Sequence, residues 1–262
     1  MALRSERGNP PSPPPGGAVL PGFAILGWRW ISRNPAAAIA PVLVPFIFLY
    51  FLSIINPPNA PPTLFPSEVV GAMLFVTQNV GSWVLGDSAT WRLENRLQDM
   101  FIASPLGKLR YLFGIAFSNL IPAVPALAVL AVLLVVVLPA PAPWWAWLLL
   151  VYCLLVLWVL FSAIGIMISS RLRSRREVWP VGNMTFTTLG MLSPLYYPLS
   201  VLPPLWQTVA LALPGTYAAI LSKAGFGLNP VSVGSLGLDA GLLLLLALAG
   251  TALALHFYRW RD

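Results

Sequence analysis

Residues 111–170 read YLFGIAFSNLIPAVPALAVLAVLLVVVLPAPAPWWAWLLLVYCLLVLWVLFSAIGIMISS, and these sixty residues contain no Asp, Glu, Lys or Arg. A transmembrane helix needs about 20 apolar residues, because each residue rises about 1.5 Å and the hydrocarbon core is roughly 30 Å thick. The stretch is therefore long enough for two spans. The run PAPAP at residues 139–143 predicts the break between them, since proline interrupts a helix. Continuous apolar runs also argue against a transmembrane β-barrel, whose strands are about ten residues of alternating polarity.

The chain around this stretch has the same membrane character. Of its 262 residues 58% are hydrophobic and only 9% are charged, which excludes an ordinary soluble domain. Residues 203–235 are too apolar for a loop and too often interrupted by Pro and Gly for a crossing, so we expect short outer re-entrant or interfacial helices there. Stretches nearly free of charge predict further spans at residues 35–55, 66–88, 178–202 and 236–258. The expected fold is an all-α polytopic membrane protein with six transmembrane helices.

Positive charge is distributed unevenly along this pattern. Fourteen of the fifteen Lys and Arg residues precede the first span, follow the last, or lie between the second and third or the fourth and fifth spans, and only Lys223 lies elsewhere. Because short loops rich in Lys and Arg stay in the cytoplasm, both termini are predicted to be cytoplasmic, with the protein in the plasma membrane. The net charge of +7 is explained by this topology and by contact with membrane lipid, so nucleic acid is not an expected partner.

Two segments precede the first span. Residues 1–22 are rich in Pro and Gly and predict a disordered cytoplasmic tail, and residues 23–262 then form a single transmembrane domain. Residues 23–33 predict an N-terminal interfacial helix, because apolar and basic side chains segregate on it: Phe23, Leu26 and Trp30 share one stripe, and Arg29 and Arg33 are four apart. The alternative is a plain cytoplasmic extension of the first span.

Residues 90–102, between the second and third spans, have the clearest amphipathic pattern. At 100° per residue the apolar side chains fall within an arc of about 100°, and the polar ones lie opposite. The apolar set is Leu93, Leu97, Met100 and Phe101, and the polar set is Arg92, Asn95, Arg96 and Asp99. We expect one cytoplasmic helix here, ended by Ser104 and Pro105. Such a helix either lies on the membrane or presents a face to a partner protein, and the topology alone leaves both open.

The residues of this segment resemble the cytoplasmic coupling segment of ABC-transporter permeases of the type-2 (exporter-like) family. In that family acidic residues, a Gly-Thr-Leu-Glu stretch and a Ser-Pro pair precede the third span. In register here are Glu94, Asp99, Ser104 and Pro105, while Arg96 and Leu97 stand in place of the Gly-Thr pair. A second similarity follows the fifth span, where the family has a Tyr-Pro-Leu pattern and then Pro-x-Thr-Tyr. The matching residues, assigned to the outer re-entrant segment, are Tyr196, Tyr197, Pro198, Pro214, Thr216 and Tyr217.

The resemblance implies that residues 23–262 form a permease domain that pairs with a second permease, as a homodimer or a heterodimer, and with two copies of an ABC ATPase subunit. The implied function is export of an amphiphilic or apolar substrate, such as a drug, an antibiotic or a lipid. The sequence has no G-x-x-x-x-G-K-[ST] phosphate loop, so the chain is not expected to be an enzyme or to hold a cofactor or a metal. ATP and Mg would be used by the partner ATPase. The residues implied to couple the spans to it are Arg92, Leu93, Glu94, Arg96, Leu97, Asp99, Met100, Phe101, Ser104 and Pro105.

Two other functions stay open. A secondary transporter usually carries ionisable residues deep inside its spans. The candidates here lie near span ends, where we expect them to be solvated; they are Glu68, Asp87, Asp239 and His256. A non-transporting membrane scaffold is the other alternative, because helical spans alone do not specify a function. An intramembrane enzyme is disfavoured, since one His, one Cys and no paired carboxylates deep in a span provide neither a nucleophile with its base nor a metal cluster.

Uncharged polar residues within the second and fifth spans form the candidate substrate path: Thr77, Gln78 and Ser82, with Asn183, Thr185 and Thr188. Such residues either join helices by hydrogen bonds or face a cavity. A cavity lined by them, with no fixed charge, would suit an amphiphilic or apolar molecule better than a small ion.

Overall fold

The computed structural model of the protein describes residues 19–94, 97–103, 106–229 and 233–258. Within these ranges every regular element is helical and no strand is present, so the predicted all-α fold is confirmed. The predicted disordered tail at residues 1–22 lies mostly outside the described residues. So do Arg96, Ser104 and Pro105 of the predicted coupling segment.

Eleven α-helices and two short 3-10 helices make up the described part of the chain. The α-helices are α1 (Val19–Arg33), α2 (Pro35–Ile55), α3 (Leu64–Leu93), α4 (Leu97–Ala103), α5 (Lys108–Leu120), α6 (Ala123–Val137), α7 (Trp144–Ser169), α8 (Val178–Leu192), α9 (Pro204–Leu211), α10 (Pro214–Gly225) and α11 (Val233–Phe257), and the 3-10 helices are Arg175–Glu177 and Leu199–Val201. The bounds of α2, α7 and α11 match those predicted for the first, fourth and sixth spans.

Three of the described helices are long and apolar enough to cross a membrane by themselves: α3, α7 and residues Ser235–Phe257 of α11. Helices α5 and α6 provide a fourth candidate if this bent pair counts as one span. Helix α2 contributes the shorter apolar helix Val42–Ile55, and α8 has only 15 residues. Length and composition therefore support a membrane-embedded helical bundle, and the six-span topology stays a prediction.

Helix α3 lies at the centre of the bundle. Its 30 residues pack against α2, α5, α6, α7, α8 and α10. It approaches α7 closely at Gly81 and Gly165, where a Cβ on Gly165 would lie 2.2 Å from the Gly81 carbonyl oxygen. No side chain fits at that distance, and small residues of this kind are what allow membrane helices to pack backbone to backbone. The two glycines therefore set the spacing of the central helix pair.

The prediction of a single amphipathic helix over residues 90–102 is wrong. Helix α3 continues to Leu93, Glu94 forms a turn, and a separate seven-residue helix, α4, begins at Leu97. No proline or glycine lies between Gly86 and Leu93, so nothing stops α3 where the charged residues begin. At about 1.5 Å per residue α3 is roughly 45 Å long, which exceeds a hydrocarbon core of about 30 Å.

Two predicted spans also differ in shape from the expectation. The third consists of α5 and α6, whose axes differ by 50°. Pro122 lies at the break. It accounts for the bend, because proline removes a helical hydrogen bond and clashes with the preceding turn. Helix α8 ends at Leu192 instead of near residue 202. Its cap residue, Ser193, precedes Pro194 and is extended, as a residue before proline prefers.

Short helices follow α8, as predicted for the region before the last span. Helices α9 and α10 both have proline in their first turn, where the missing N–H has no helical partner to lose. Helix α10 is buried against α3, α7 and α11. Its re-entry into a membrane stays a prediction.

Helix α10 brings Lys223 close to the start of α3, at the end of the bundle opposite α4. Glu68 is only 2% exposed and Lys223 only 5%, and their opposite charges interact. The side-chain amide of Asn56 also donates to Glu68 Oε1 at 2.9 Å. The expectation that Glu68 is solvated near a span end is therefore wrong. Packing of α10 covers it, and a buried carboxylate then needs such partners.

Candidate functional site

Four aromatic side chains converge where α4 meets the bundle. Between ring centroids, Phe101 of α4 lies 5.8 Å from Phe23 of α1 and 6.0 Å from Trp91 of α3. Its distance to Tyr111 of α5 is 5.2 Å. All three distances are in the range of favourable aromatic pairs. We name these four residues the aromatic junction, and it attaches α4 to three helices at once.

Two glycines let α1 approach α5 closely enough to build the aromatic junction. A Cβ on Gly114 would lie 2.4 Å from the ring of Phe23, and a Cβ on Gly27 would lie 2.6 Å from the Ser118 carbonyl oxygen. Phe23 is consequently buried. The N-terminal helix is therefore joined to the bundle by direct helix packing, which its amphipathic pattern alone did not indicate.

Polar contacts tie the end of α11 to the same region. The Tyr258 hydroxyl donates to Gln98 Oε1 of α4 at 2.8 Å. Lys108, the first residue of α5, donates through Nζ to the carbonyl oxygens of Leu255 and Tyr258, the latter at 2.6 Å. The last carbonyls of a helix have no intrahelical donor, so a lysine is a natural partner for them. The end of α11 is therefore bonded both to α4, through Gln98, and to α5, through Lys108.

Arg92 is turned into the bundle, although it was predicted to meet water or a partner. Its Nη2 atom donates to the carbonyl oxygens of Ser169 and Leu172, each at 2.6 Å. These carbonyls lie at and just after the end of α7, and the Ser169 carbonyl also accepts a long hydrogen bond of 3.3 Å from the Leu172 N–H. Next to them the Ser169 hydroxyl donates to Ser88 Oγ at 3.0 Å. Arg92 thus joins the ends of α3 and α7.

Three other predicted coupling residues are open to a partner. Glu94, Asp99 and Met100 are exposed, with Met100 at 69%. Glu94 Oε1 pairs with Arg175 Nη1 at 2.7 Å, and both side chains are well exposed. Such a surface ion pair contributes about 0 to 1 kcal/mol and is easily exchanged for another partner. Leu93 is half-buried against the bundle.

A cavity of about 830 Å³ opens beside α3, bordered also by α1, α2, α5 and α8. One face of α3 lines it, because Asn79, Trp83, Asp87 and Trp91 follow each other at intervals of four residues. Trp30 and Trp179 line it from α1 and α8. We name this space the α3 cavity. Trp91 belongs both to the α3 cavity and to the aromatic junction.

The α3 cavity contains one carboxylate within its wall. Asp87 Oδ2 accepts a hydrogen bond from Asn119 Nδ2 of α5 at 3.0 Å. Arg175 also lines the cavity, but its guanidinium is the one that pairs with Glu94. The wall is therefore mixed in character, with indole rings and aliphatic groups around a few polar atoms.

The structure does not bring the six predicted path residues together. Ser82 alone among them lines the α3 cavity. Thr77 and Gln78 are buried. Thr77 donates to the Met73 carbonyl oxygen of its own helix at 3.0 Å, and Gln78 donates to the Phe186 carbonyl oxygen at 3.2 Å, which joins α3 to α8. On α8, Asn183 and Thr188 are exposed and Thr185 is half-buried.

Sequence reasoning missed the residues that do converge on the cavity. Asp87 was set aside as a solvated residue near a span end, and Trp83 and Trp179 were not considered. The four-residue spacing from Asn79 to Trp91 could have indicated their shared face. This shared face was not recognised, because the second span was expected to end near residue 88.

The predicted outer residues mostly stabilise their own segment. Three hydroxyl groups donate to nearby carbonyl oxygens: Tyr197 to Met191 at 2.8 Å, Tyr217 to Leu211 at 2.6 Å, and Thr216 to Ala210. Tyr196 is buried against Phe48 of α2 and Phe75 of α3. Pro198 caps a 3-10 helix and Pro214 begins α10. This set folds the segment and attaches it to α2 and α3.

The described residues form an apolar helical bundle with a cavity beside α3 and a short helix docked on one end. Residues 23–226 match the family model described as ABC-2 type transporter. The chain belongs to the ABC-2 type transporter family, and the similarity to type-2 ABC permeases that its motifs indicated is confirmed. It is a transmembrane permease component and not the ATPase; permeases of this family generally partner with an ABC ATPase subunit. A comparison with curated proteins found no match.

Proposed function

We propose that the chain is the membrane-spanning permease of an ATP-driven exporter, which moves an amphiphilic molecule out of the cytoplasm. The observation that carries this proposal is the double role of Trp91. It lines the α3 cavity and stacks on Phe101 of α4, with ring centroids 6.0 Å apart and planes 15° apart. A force applied to α4 by an ATPase would reach the cavity wall through this one contact.

The exposed side of α4 supplies the surface for that force. Asp99, Met100 and the neighbouring Glu94 face outward, while Phe101 faces the bundle. Two copies of an ABC ATPase subunit would bind here, one on each of two permeases, and would use ATP and Mg. The bond between Tyr258 and Gln98 extends the same motion to α11.

The orientation follows from charge. Arg92, Lys108 and Arg175 lie at the α4 end of the bundle, and Lys223 lies near Glu68 at the other end. By the positive-inside rule the α4 end is cytoplasmic; the chain would cross the plasma membrane six times, with both termini in the cytoplasm. An ATPase that hydrolyses cytoplasmic ATP would meet α4 on that side.

A second permease would cover an exposed polar face on α8. Asn183, Thr187 and Thr188 are exposed there beside Met184. An amide that faces lipid is costly, because hydrocarbon offers it no hydrogen bond. Pairing with a second copy or with a homologue would remove this face from lipid, as a homodimer or a heterodimer.

The test is the double variant Glu94→Arg, Asp99→Arg, which reverses both exposed acidic charges. We expect it to express and fold normally, because exposed ion pairs contribute only about 0 to 1 kcal/mol. Export, substrate-stimulated ATP hydrolysis and co-purification of the ATPase should fall together, since binding of the partner is the altered step. Glu177→Arg is the matched control, because Glu177 is exposed but outside the coupling segment. Normal values for all three measurements in the double variant would contradict the proposal and favour a non-transporting scaffold.

A further inference from the structure

Among the residues that the structure describes, two with charged side chains line the α3 cavity, Asp87 and Arg175. The Arg175 guanidinium is exposed and pairs with Glu94 at 2.7 Å. Asp87 is half-buried and has a neutral partner, Asn119, and within the described ranges no Lys or Arg forms an ion pair with it. A ligand that contacts Asp87 would therefore meet a carboxylate with which none of the described cations is paired.

Indole rings line the same cavity as this carboxylate. On α3, Trp83 and Trp91 lie one turn before and one turn after Asp87, each about 6 Å away along the helix axis. Trp30 and Trp179 add two more indoles from α1 and α8. The face of an indole attracts cations more strongly than any other aromatic side chain, and the attraction grows when water is excluded. An anion in the same place would be repelled by the carboxylate, so the cavity discriminates between charge signs.

The size of the cavity selects the kind of cation. About 830 Å³ is within the range of sites that hold drug-sized organic molecules. A single carboxylate provides too few oxygen ligands for Ca²⁺ or Mg²⁺, which take six or more. The aliphatic and aromatic wall would match the apolar body of an organic ion.

We propose that the α3 cavity binds lipophilic organic cations, with the Asp87 carboxylate as counter-charge and the four tryptophans as the surrounding surface. This inference rests on the proposed export function, because it names the class of molecule that the exporter would carry. The proposed substrate class is thereby restricted from amphiphilic molecules in general to cationic ones. Asp87 is then the residue that determines charge specificity.

Two ions of the same shape and opposite charge provide the test. Tetraphenylphosphonium and tetraphenylborate both carry four phenyl groups on one central atom. Binding of each is measured by equilibrium dialysis to the full-length chain in phosphatidylcholine nanodiscs, with protein-free nanodiscs to subtract partition into lipid. We expect the cation to bind at least about tenfold more tightly than the anion, since loss of 1.4 kcal/mol is tenfold. Equal binding, or tighter binding of the borate, would overturn the inference.

Variants assign the preference to Asp87. Asp87→Asn keeps the shape of the side chain and a hydrogen bond to Asn119, and should weaken phosphonium binding about tenfold while leaving borate binding equal or stronger. Asp239→Asn is the matched control, because Asp239 is a carboxylate outside the cavity, and its phosphonium affinity should be unchanged. An unchanged affinity in Asp87→Asn would refute the role of this residue. The comparison of the two ions on the unmodified chain remains decisive if Asp87→Asn does not fold.

The same probes separate this inference from the proposed function. In a complex with the ATPase, phosphonium should stimulate ATP hydrolysis. Asp99→Arg, which leaves the pair of Glu94 and Arg175 intact and lies outside the cavity lining, should reduce the stimulation without changing phosphonium affinity. Charge-selective binding with no associated ATPase would refute the export function alone. ATP-driven export that prefers the borate would refute the cation specificity alone.

Discussion

Replacing Phe101 with alanine should release α4 from the bundle while leaving the spans folded. Phe101 makes three aromatic contacts in the aromatic junction, each worth about 0.5 to 1.5 kcal/mol. Truncating a fully buried phenylalanine costs about 3 to 5 kcal/mol, and Phe101 is only half-buried. We therefore expect a loss of about 2 to 4 kcal/mol in α4 docking. The undocked fraction would rise on the order of 30- to 1,000-fold.

The central packing should survive, because Gly81 and Gly165 hold α3 and α7 together away from α4. Hydrogen exchange resolved to residues 97–103 measures undocking, and substrate-stimulated ATP hydrolysis of the complex measures coupling. Exchange in α4 should become faster and the stimulation should be lost. The thermal unfolding of the purified chain should change little. Such a pattern would place the effect in the contact between α4 and the spans.

Two control variants test whether the effect is specific to Phe101. Met100→Ala alters the neighbouring residue, which is exposed, so α4 should stay docked. Phe113→Ala removes an aromatic ring of α5 outside the junction, which stacks on Phe117 and meets Trp158 edge to face. The reasoning is refuted if Phe101→Ala leaves the exchange of α4 unchanged, or if Phe113→Ala uncouples hydrolysis equally.

Two further predictions concern topology and packing. The experiment uses a Cys153→Ser background, which removes the buried native thiol. A cysteine at Asn59 should react with an impermeant thiol reagent in intact cells, and a cysteine at Ser174 should not. The opposite labelling would reverse the predicted orientation. Gly165→Ala should lower the free energy of unfolding by about 1 to 3 kcal/mol, because its Cβ would lie 2.2 Å from a backbone oxygen. Gly237→Ala, with nothing within 4 Å of the added Cβ, should leave stability equal or slightly higher, and equal losses at both sites would contradict the packing argument.

The candidate site was only partly predictable. The motif around Glu94 and Asp99 predicts a coupling segment, which stays a prediction; both residues are exposed. Phe101 and Met100 were placed on one apolar stripe, yet Phe101 is packed and Met100 is exposed. The apolar stripe was predicted for one continuous helix over residues 90–102. Met100 and Phe101 are adjacent on the separate helix α4, about 100° apart around its axis, so packing of one side of this short helix can bury one residue and leave the other exposed.

Local sequence determined the all-helical membrane character, the bounds of α2, α7 and α11, and the family. In lipid every backbone polar group must be paired within its own segment, so a long apolar run becomes a helix whatever its neighbours are. Only the tertiary structure decided which side of each helix is covered. It buried Glu68 under α10, turned Arg92 toward α7 and left Asp87 facing a cavity. These outcomes depend on contacts between distant residues, such as Arg92 and Ser169, which are 77 positions apart, and the periodicity of one helix carries no information about the helix that packs on it.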